Sequence, residues 1–143
     1  MKITEKIIII FMLSFSFSAY AEDTEMVPIE EFLKSEGSGK DEFGDAAKTF
    51  VGLRCTSLYL IWSSLLRDSG ENDLAQKFDR IAELALGLAQ SVKPFNEDYS
   101  RAQIRIMVDG YKDRWLKAKA MTGNASDDQV IRSDMHVCAQ IFS

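Results

Sequence analysis

Four stretches of this chain repeat apolar residues at spacings of three and four, and this periodicity limits the fold more than any other feature. They cover residues 45–68, 73–91, 97–122 and 126–142. Such spacing places the apolar side chains on one face of an α-helix, whereas a half-buried strand needs alternation with period two. Between residues 22 and 143 no alternation lasts long enough to predict a strand. The sequence therefore predicts an all-α protein, an antiparallel four-helix up-down bundle with short turns.

Capping residues and helix breakers delimit these four helices. They are Asp45 and Asn96 as N-caps, Gly70 and Pro94 as stops, and a capping box from Ser126 to Gln129 before the last helix. Gly110 falls in the middle of the third stretch, where its low helix propensity indicates a bend. The bundle domain is therefore expected to span residues 45–143.

Residues 1–21 have the three parts of a secretory signal peptide. Lys2 and Lys6 form a basic start, Ile7–Ala19 is an apolar run of 13 residues, and Ala19-Tyr20-Ala21 has the small residues of a cleavage site. An uncleaved anchor is the alternative, but a membrane span needs about 18 or more apolar residues. We expect a periplasmic or secreted protein that begins at Glu22 and keeps no permanent membrane span.

Residues 22–44 are predicted to form an acidic, flexible arm. From residue 22 to Asp45 the chain has nine acidic residues against Lys34 and Lys40, a net charge of −7. The remainder, residues 46–143, carries a net charge of +1. High charge without a sustained apolar face favours disorder. One short helix is possible inside the arm, because Pro28 suits the first position of a helix through Ile29, Phe32 and Leu33.

Two cysteines are present, and the export signal favours a disulfide between them. Cys55 and Cys138 lie on the apolar faces of the first and last predicted helices. A bond between them would make these helices neighbours. Arg54 precedes Cys55, and Asp134 lies one helical turn before Cys138 on the same face. An Arg54–Asp134 ion pair beside the disulfide is therefore a candidate for fixing helix register, with two separate solvated charges as the alternative.

Four aromatic residues at helical spacing admit two interpretations. Tyr59 and Trp62 lie on the first predicted helix, and Tyr111 and Trp115 on the third. Aromatic residues at this spacing usually belong to the core. The functional interpretation is an aromatic groove between the helices for an apolar ligand or a partner helix. The third helix also holds six basic against four acidic residues, which indicates a solvated face or a docking surface for an acidic segment.

Recognisable catalytic motifs are missing from the sequence. It contains no HExxH, no phosphate-binding loop, no dinucleotide fingerprint and one histidine, so we predict no enzyme, no catalytic residue and no cofactor. His136 with Met107 or Met135 could bind metal or haem, but no CxxCH motif is present. The net charge of −5 argues against a nucleic-acid partner.

These features predict a small exported helical protein that binds a protein partner without catalysis. An inhibitor, immunity or envelope-associated role suits such a build. The alternative is a carrier of a small apolar ligand in a cavity between Trp62 and Trp115, and a metal or haem protein is a third hypothesis. The partner and the oligomeric state are not given by the sequence.

Overall fold

The computed structural model of the protein describes residues 26–35 and 44–142. The helices in these ranges are α1 (Ile29–Ser35), α2 (Asp45–Asp68), α3 (Asn72–Gln90), α4 (Glu97–Thr122), a short 3₁₀ helix (Ala125–Asp127) and α5 (Gln129–Phe142). The described ranges contain no strand, so the predicted all-α class is confirmed. The predicted signal peptide, residues 1–21, lies outside them, as do residues 22–25 and 36–43.

The helix ends follow local hydrogen-bonding rules, with two exceptions to the prediction. Asp45 is the first residue of α2 and not its N-cap, because the N-cap is Gly44, which has no side chain to accept a hydrogen bond. Asn96 caps α4, because its side chain accepts a 2.9 Å hydrogen bond from a backbone N–H of the first turn. The predicted capping box before α5 is wrong. The Asp128 carboxylate accepts the Ile131 N–H at 2.9 Å, while the Ser126 hydroxyl and N–H both bond to Asn124 Oδ1. Because Ser126 bonds to Asn124 in the preceding 3₁₀ helix, Asp128 is the residue whose side chain caps α5.

Helix α2 is the centre of the molecule. It contacts α1, α3, α4 and α5, and residues 51–59 are buried without interruption. A helix enclosed on several sides must be apolar around most of its circumference. Its length and mean hydropathy of 1.2 would also suit a membrane span, although 56% of the apolar window is buried inside the protein. The apolar composition of α2 is therefore explained by its burial among the other helices.

Helix α2 packs closely against α3 through small residues. Gly52 lies so close to α3 that an added Cβ would come within 2.7 Å of the Ala89 N and 2.8 Å of the Ala85 O. Thr56, one turn later, donates to the Ala82 carbonyl at 3.4 Å. Ala82, Ala85 and Ala89 are all buried. The alanine face of α3 thus permits a backbone approach that larger side chains would prevent.

The packing differs from the predicted up-down bundle in the relation between α3 and α4. Within the described residues these consecutive helices both pack on α2 and make no close backbone contact with each other. Two neighbouring hydroxyl groups of α2 contact these two helices. The Thr56 hydroxyl donates to the Ala82 carbonyl of α3, and the Ser57 hydroxyl donates to the Ile104 carbonyl of α4, each at 3.4 Å. Because α2 contacts both helices directly, clefts remain along α4 that a closed four-helix bundle would fill.

Residues 26–35, here called the strap, pack against the bundle. Ile29 is fully buried, and the Phe32 ring stacks on Phe50 of α2 with centroids 3.9 Å apart. Met26 lies over Gly110, where a Cβ would meet its sulfur at 2.6 Å. The predicted short helix is present as α1, but the structure differs from a flexible arm over these residues. Gly110 marks this contact site, since α4 continues through it without interruption.

Candidate functional site

The predicted disulfide is present. Cys55 of α2 and Cys138 of α5 are bonded, with Cα atoms 5.6 Å apart and 83 residues between them in sequence. Both cysteines are fully buried, which keeps the bond away from solvent thiols. The disulfide therefore fixes α2 against α5 at the centre of the core, and it is compatible with an oxidising compartment.

The predicted ion pair lies beside it. Arg54 Nε is 3.1 Å from Asp134 Oδ2, and the two side chains are only 4% and 0% exposed. Arg54 Nε also donates to the Tyr111 hydroxyl at 2.8 Å, and that hydroxyl donates to Asp134 Oδ2. Three helices thus contribute one side chain each to a closed polar network. The sequence had indicated the ion pair, but it had assigned Tyr111 to an aromatic face.

The same network holds the strap through backbone groups. Arg54 Nη2 donates to the Val27 carbonyl at 2.7 Å, and the Ile29 N–H donates to Asp134 Oδ1 at 2.8 Å. Charge-assisted hydrogen bonds of this kind are the stronger ones, particularly where water is excluded. The network therefore fixes the strap against α2 and α5 and is enclosed by the protein.

Burial raises the pKa of the Tyr111 hydroxyl well above its usual range, and the Asp134 carboxylate adds to that effect while Arg54 opposes it. Tyr111 consequently remains protonated and keeps donating to Asp134 over the physiological pH range. A tyrosine that stays protonated, fully buried and bonded on both sides serves as a structural link.

The four predicted aromatic residues do not form one groove. Tyr111 belongs to the buried network, and Tyr59 is buried edge-on against Phe78 with centroids 5.4 Å apart. Trp62 and Trp115 are partly buried and pack on the same core. The core interpretation of the spacing therefore holds for both tyrosines. Helical spacing alone could not separate the two interpretations, because groove and core residues share it.

Trp115 does line a small pocket between the C-terminal halves of α2 and α4. This pocket has a volume of about 270 Å³, and its other apolar surfaces come from Ile61 and Leu65 of α2 and from Val108 and Leu116 of α4. Asp68 and Lys112 lie at its edges. Trp62 is not among its lining residues, so the predicted cavity between the two tryptophans is not the one that forms.

A larger cleft, here called the Phe50 cleft, opens between the N-terminal half of α2 and α4. Its volume is about 460 Å³, and its apolar lining consists of Ala46, Phe50, Leu53, Val92, Tyr99 and Met107. Asp45, Thr49 and Gln103 add polar groups. Volume and lining fall in the range of natural binding pockets, which are mostly apolar with a few polar groups. The cleft exists because α4 crosses α2 without α3 closing the space.

Large apolar side chains are exposed next to this cleft. Tyr99 lines it while remaining 56% exposed, and Ile106, two turns further along α4, is 63% exposed. Seven residues of an α-helix make almost two whole turns, so both side chains leave α4 in nearly the same direction. The sequence had indicated Met107 as a candidate for metal or haem binding and had not singled out Phe50 or Tyr99. The only signal of Tyr99 was an aromatic residue in a polar first turn.

The residues considered for metal or haem binding lie on separate parts of the fold. Met107 lines the Phe50 cleft on α4, His136 is exposed on α5, and Met135 packs against the core. In the part of the chain that the structure describes, no three His, Cys, Asp or Glu side chains are grouped so that they could hold a metal ion. The structure therefore does not bring these sequence candidates together.

Neighbouring acids balance much of the basic character of α4. Arg101 pairs with Glu97 at 2.8 Å, and Arg114 pairs with Asp128 at 3.1 Å. Lys117 pairs with an aspartate one turn earlier at 3.2 Å. Such pairing reduces the field that a basic face could present to an acidic segment. The strap does not use this face, because it meets α4 through Met26 at Gly110.

Comparison with protein-family models, with curated proteins and with solved structures gave no match for this chain. The features available for a functional assignment are therefore its own: a disulfide-linked helical core, a fixed strap, and the apolar Phe50 cleft with exposed side chains beside it.

Proposed function

We propose that this chain is an exported, non-enzymatic protein-binding module whose recognition element is α4 together with the Phe50 cleft. The observation that carries the proposal is the exposure of Tyr99 and Ile106 beside an open apolar cleft on a rigid scaffold. Binding energy at protein interfaces concentrates in aromatic and aliphatic anchors that meet such pockets. A partner side chain entering the cleft would bury apolar surface that the isolated protein leaves exposed.

The scaffold supports this proposal because its binding surface would need little reorganisation. The disulfide, the Arg54–Asp134 pair and the strap fix α2 against α5, and Phe50 of the cleft stacks directly on Phe32 of the strap. Preorganised surfaces lose less conformational entropy when they bind. An inhibitor, immunity or envelope-associated role remains the class of function that such a rigid exported module would serve.

Export is part of the proposal and has two supports. The first is the signal-peptide pattern of residues 1–21, which lies outside the described residues. The second is the buried disulfide, a bond that is typical of oxidising compartments. Together they favour a periplasmic or secreted location for the folded protein.

Site-specific photocrosslinking in the native host tests the proposed surface. A photoreactive amino acid at Ile106 should give a discrete adduct with a partner that mass spectrometry identifies, and Tyr99→Ala should abolish that adduct. The matched control is the same photoreactive group at Leu84 of α3, which is 61% exposed, close to the 63% of Ile106, and lines neither the Phe50 cleft nor the pocket beside Trp115. Equal adducts from both positions, or none from Ile106, would contradict the proposal.

A carrier of a small apolar ligand is the second candidate, and the 460 Å³ volume of the Phe50 cleft favours it. The relevant site would then be this cleft in place of the predicted space between the two tryptophans. Native mass spectrometry of the protein from its host separates the candidates, because a carrier retains a bound small molecule and a protein-binding module does not.

A further inference from the structure

The exposed face of α4 carries a regular row of charged residues that lies outside the Phe50 cleft. Every fourth residue from 97 to 117 is charged and exposed, and residues at this spacing form one continuous ridge along a helix. In chain order the row consists of Glu97, Arg101, Arg105, Asp109, Asp113 and Lys117. Its charges are negative, positive, positive, negative, negative and positive. The same row read in reverse therefore has the opposite charge at every position.

The middle of this row is unfavourable in a single copy of the protein. At each end of the row an acid pairs with the base one turn later, at 2.8 and 3.2 Å. Arg105 and Asp109 make no ion pair within the described ranges, and each has a like charge one turn away. Like charges at this spacing destabilise a helix, and a base that precedes an acid pairs less well than the reverse order. Two charges without a counter-charge therefore remain at the centre of an exposed surface.

A second copy of the chain in antiparallel orientation supplies the missing counter-charges. When the twofold axis is level with residue 107, Arg105 faces Asp109 of the second copy, and Arg101 faces its Asp113. Rows of this kind are inclined about 26° to the helix axis, so two of them lie along each other when the helices cross at about 50°, the commonest class of helix packing. Each contact then occurs twice, as in any isologous interface.

We propose that α4 forms a symmetric, antiparallel dimer with a second copy of this chain through the four central charges of the row. Ile106, which is 63% exposed beside Arg105, adds apolar surface, because the twofold axis brings both copies of it to the same side of the row. The other charged residues of α4 between 97 and 113 are Asp98 and Lys112, which lie on opposite sides of the row and cancel in charge. This balance favours a second copy over a strongly acidic or basic partner.

The dimer goes beyond the proposed function, because it uses another side of α4. Met107 lines the Phe50 cleft and is two residues from both Arg105 and Asp109, so it lies about 200° around the helix from each. Both clefts of a dimer therefore stay open to partners. Such a bivalent module binds a repeated or clustered partner with higher avidity and without any new contact.

Sedimentation equilibrium of the protein purified from its host tests the dimer. The parent should associate reversibly at low salt between micromolar and millimolar concentrations, and the association should weaken as salt is raised. Arg105→Glu or Asp109→Arg alone places like charges opposite each other in both halves of the interface. Each should weaken the dimer about tenfold or more, because two exposed ion pairs are lost and two repulsive contacts replace them. A parent that stays monomeric at millimolar concentration and low salt would overturn the proposal.

Mixing these two variants, each shown by circular dichroism to be folded, provides the sharpest test. In a pair made of one copy of each, both introduced charges face an opposite charge. An equimolar mixture should therefore form a heterodimer about as tightly as the parent dimerises. The matched controls Arg80→Glu and Asp73→Arg make the same changes at exposed positions of α3 and should dimerise as the parent does. Absence of the heterodimer, or equal weakening by the controls, would overturn the proposal.

Photocrosslinking from Ile106 separates this inference from the proposed function. An adduct with a second copy of this chain reports the dimer, whereas an adduct with a different protein reports a partner of the Phe50 cleft. Arg105→Glu should abolish only the first adduct, and Tyr99→Ala only the second. If the dimer forms and no other protein is captured, the proposed function fails and the inference stands. If another protein is captured and the parent sediments as a monomer, the inference fails and the proposed function stands.

Discussion

The Ile29 N–H donates a 2.8 Å hydrogen bond to Asp134 Oδ1 across 105 residues of sequence. Asp134 accepts at the same time from Arg54 and from the Tyr111 hydroxyl. One fully buried carboxylate thus connects the strap, α2, α4 and α5. This acceptor holds the strap near residue 29 together with the hydrogen bond from Arg54 to the Val27 carbonyl and the burial of the Ile29 side chain.

Replacing Asp134 with Leu should destabilise the protein strongly. The substitution leaves the Arg54 guanidinium buried without a counter-charge, and loss of one partner of a buried pair costs about 3–5 kcal/mol in the free energy of unfolding. Urea denaturation measures this change. Adding Arg54→Met should recover much of the loss, because the remaining charge is removed as well. A double variant as unstable as Asp134→Leu alone would contradict this account.

Gly52→Ala and Gly87→Ala should shift stability in opposite directions. A Cβ at Gly52 would lie 2.7–2.9 Å from Ala85 and Ala89 of α3, so α2 and α3 would have to separate at about 1–3 kcal/mol. Gly87 has nothing within 4 Å of the added atom and lies inside α3, where alanine stabilises a helix by about 1 kcal/mol. Thermal unfolding of both variants provides the comparison, and a stabilising Gly52→Ala would show that the two helices are not in close contact.

Removal of the disulfide should lower stability by about 2–5 kcal/mol. The bond closes 83 residues, for which loop entropy alone gives about 4.5 kcal/mol. Cys55→Ala with Cys138→Ala, measured by denaturant unfolding against the oxidised parent, checks the value. Mass spectrometry without reduction should find one internal crosslink and no free thiol. Rapid alkylation of both cysteines in the folded oxidised protein would refute the bond.

The stability contribution of Asp79 should depend on pH. A hydrogen bond from Ser63, together with the hydrogen bond and charge of Arg67, holds the pKa of Asp79 below its usual value, although partial burial opposes this. A carboxyl group with a lowered native pKa stabilises the fold above its unfolded-state pKa of about 4 and loses that contribution as pH falls through the native value. Asp79→Asn should therefore be less stable than the parent at pH 7, and the difference should shrink below about pH 4. Urea titrations at several pH values test this, and a constant difference would contradict it.

Cleavage after Ala21 remains a prediction from the sequence. Intact-mass analysis of the protein from its host should show Glu22 as the first residue. Recovery of a form that retains Met1 from a membrane fraction would favour the uncleaved anchor and would remove one of the two supports for export.

The four long helices were predictable because their signals are local. The limits of α2 and α4 follow from apolar spacing, and the Asn96 cap acts within one turn. The Arg54–Asp134 pair and the disulfide were predictable for a related reason. Each pair lies on the apolar faces of two helices, where a buried polar or reactive group requires a partner.

The strap and the cleft depend on long-range packing that no local pattern encodes. Charge indicated a flexible arm over residues 22–44, yet burial of Ile29 and hydrogen bonds to Asp134 and Arg54 fix the strap within it. The Phe50 cleft exists because α3 and α4 each pack on α2 instead of on each other. The close approach of α2 to α3 at Gly52 contributes to the packing of α3 on α2. This approach joins two backbone segments that are far apart in sequence, so no local pattern predicts it.

The hydrogen bond between Ile29 and Asp134 also sets an order of events during synthesis and folding. The hydrophobic core includes Ile29 and Cys138, so it cannot be completed until α5 has been synthesised after α2, α3 and α4. Contacts of such large sequence separation form late and slowly, because the intervening chain must first be closed into a loop. The strap therefore takes its place in the fold only after residue 134 has been synthesised and α5 has packed against α2.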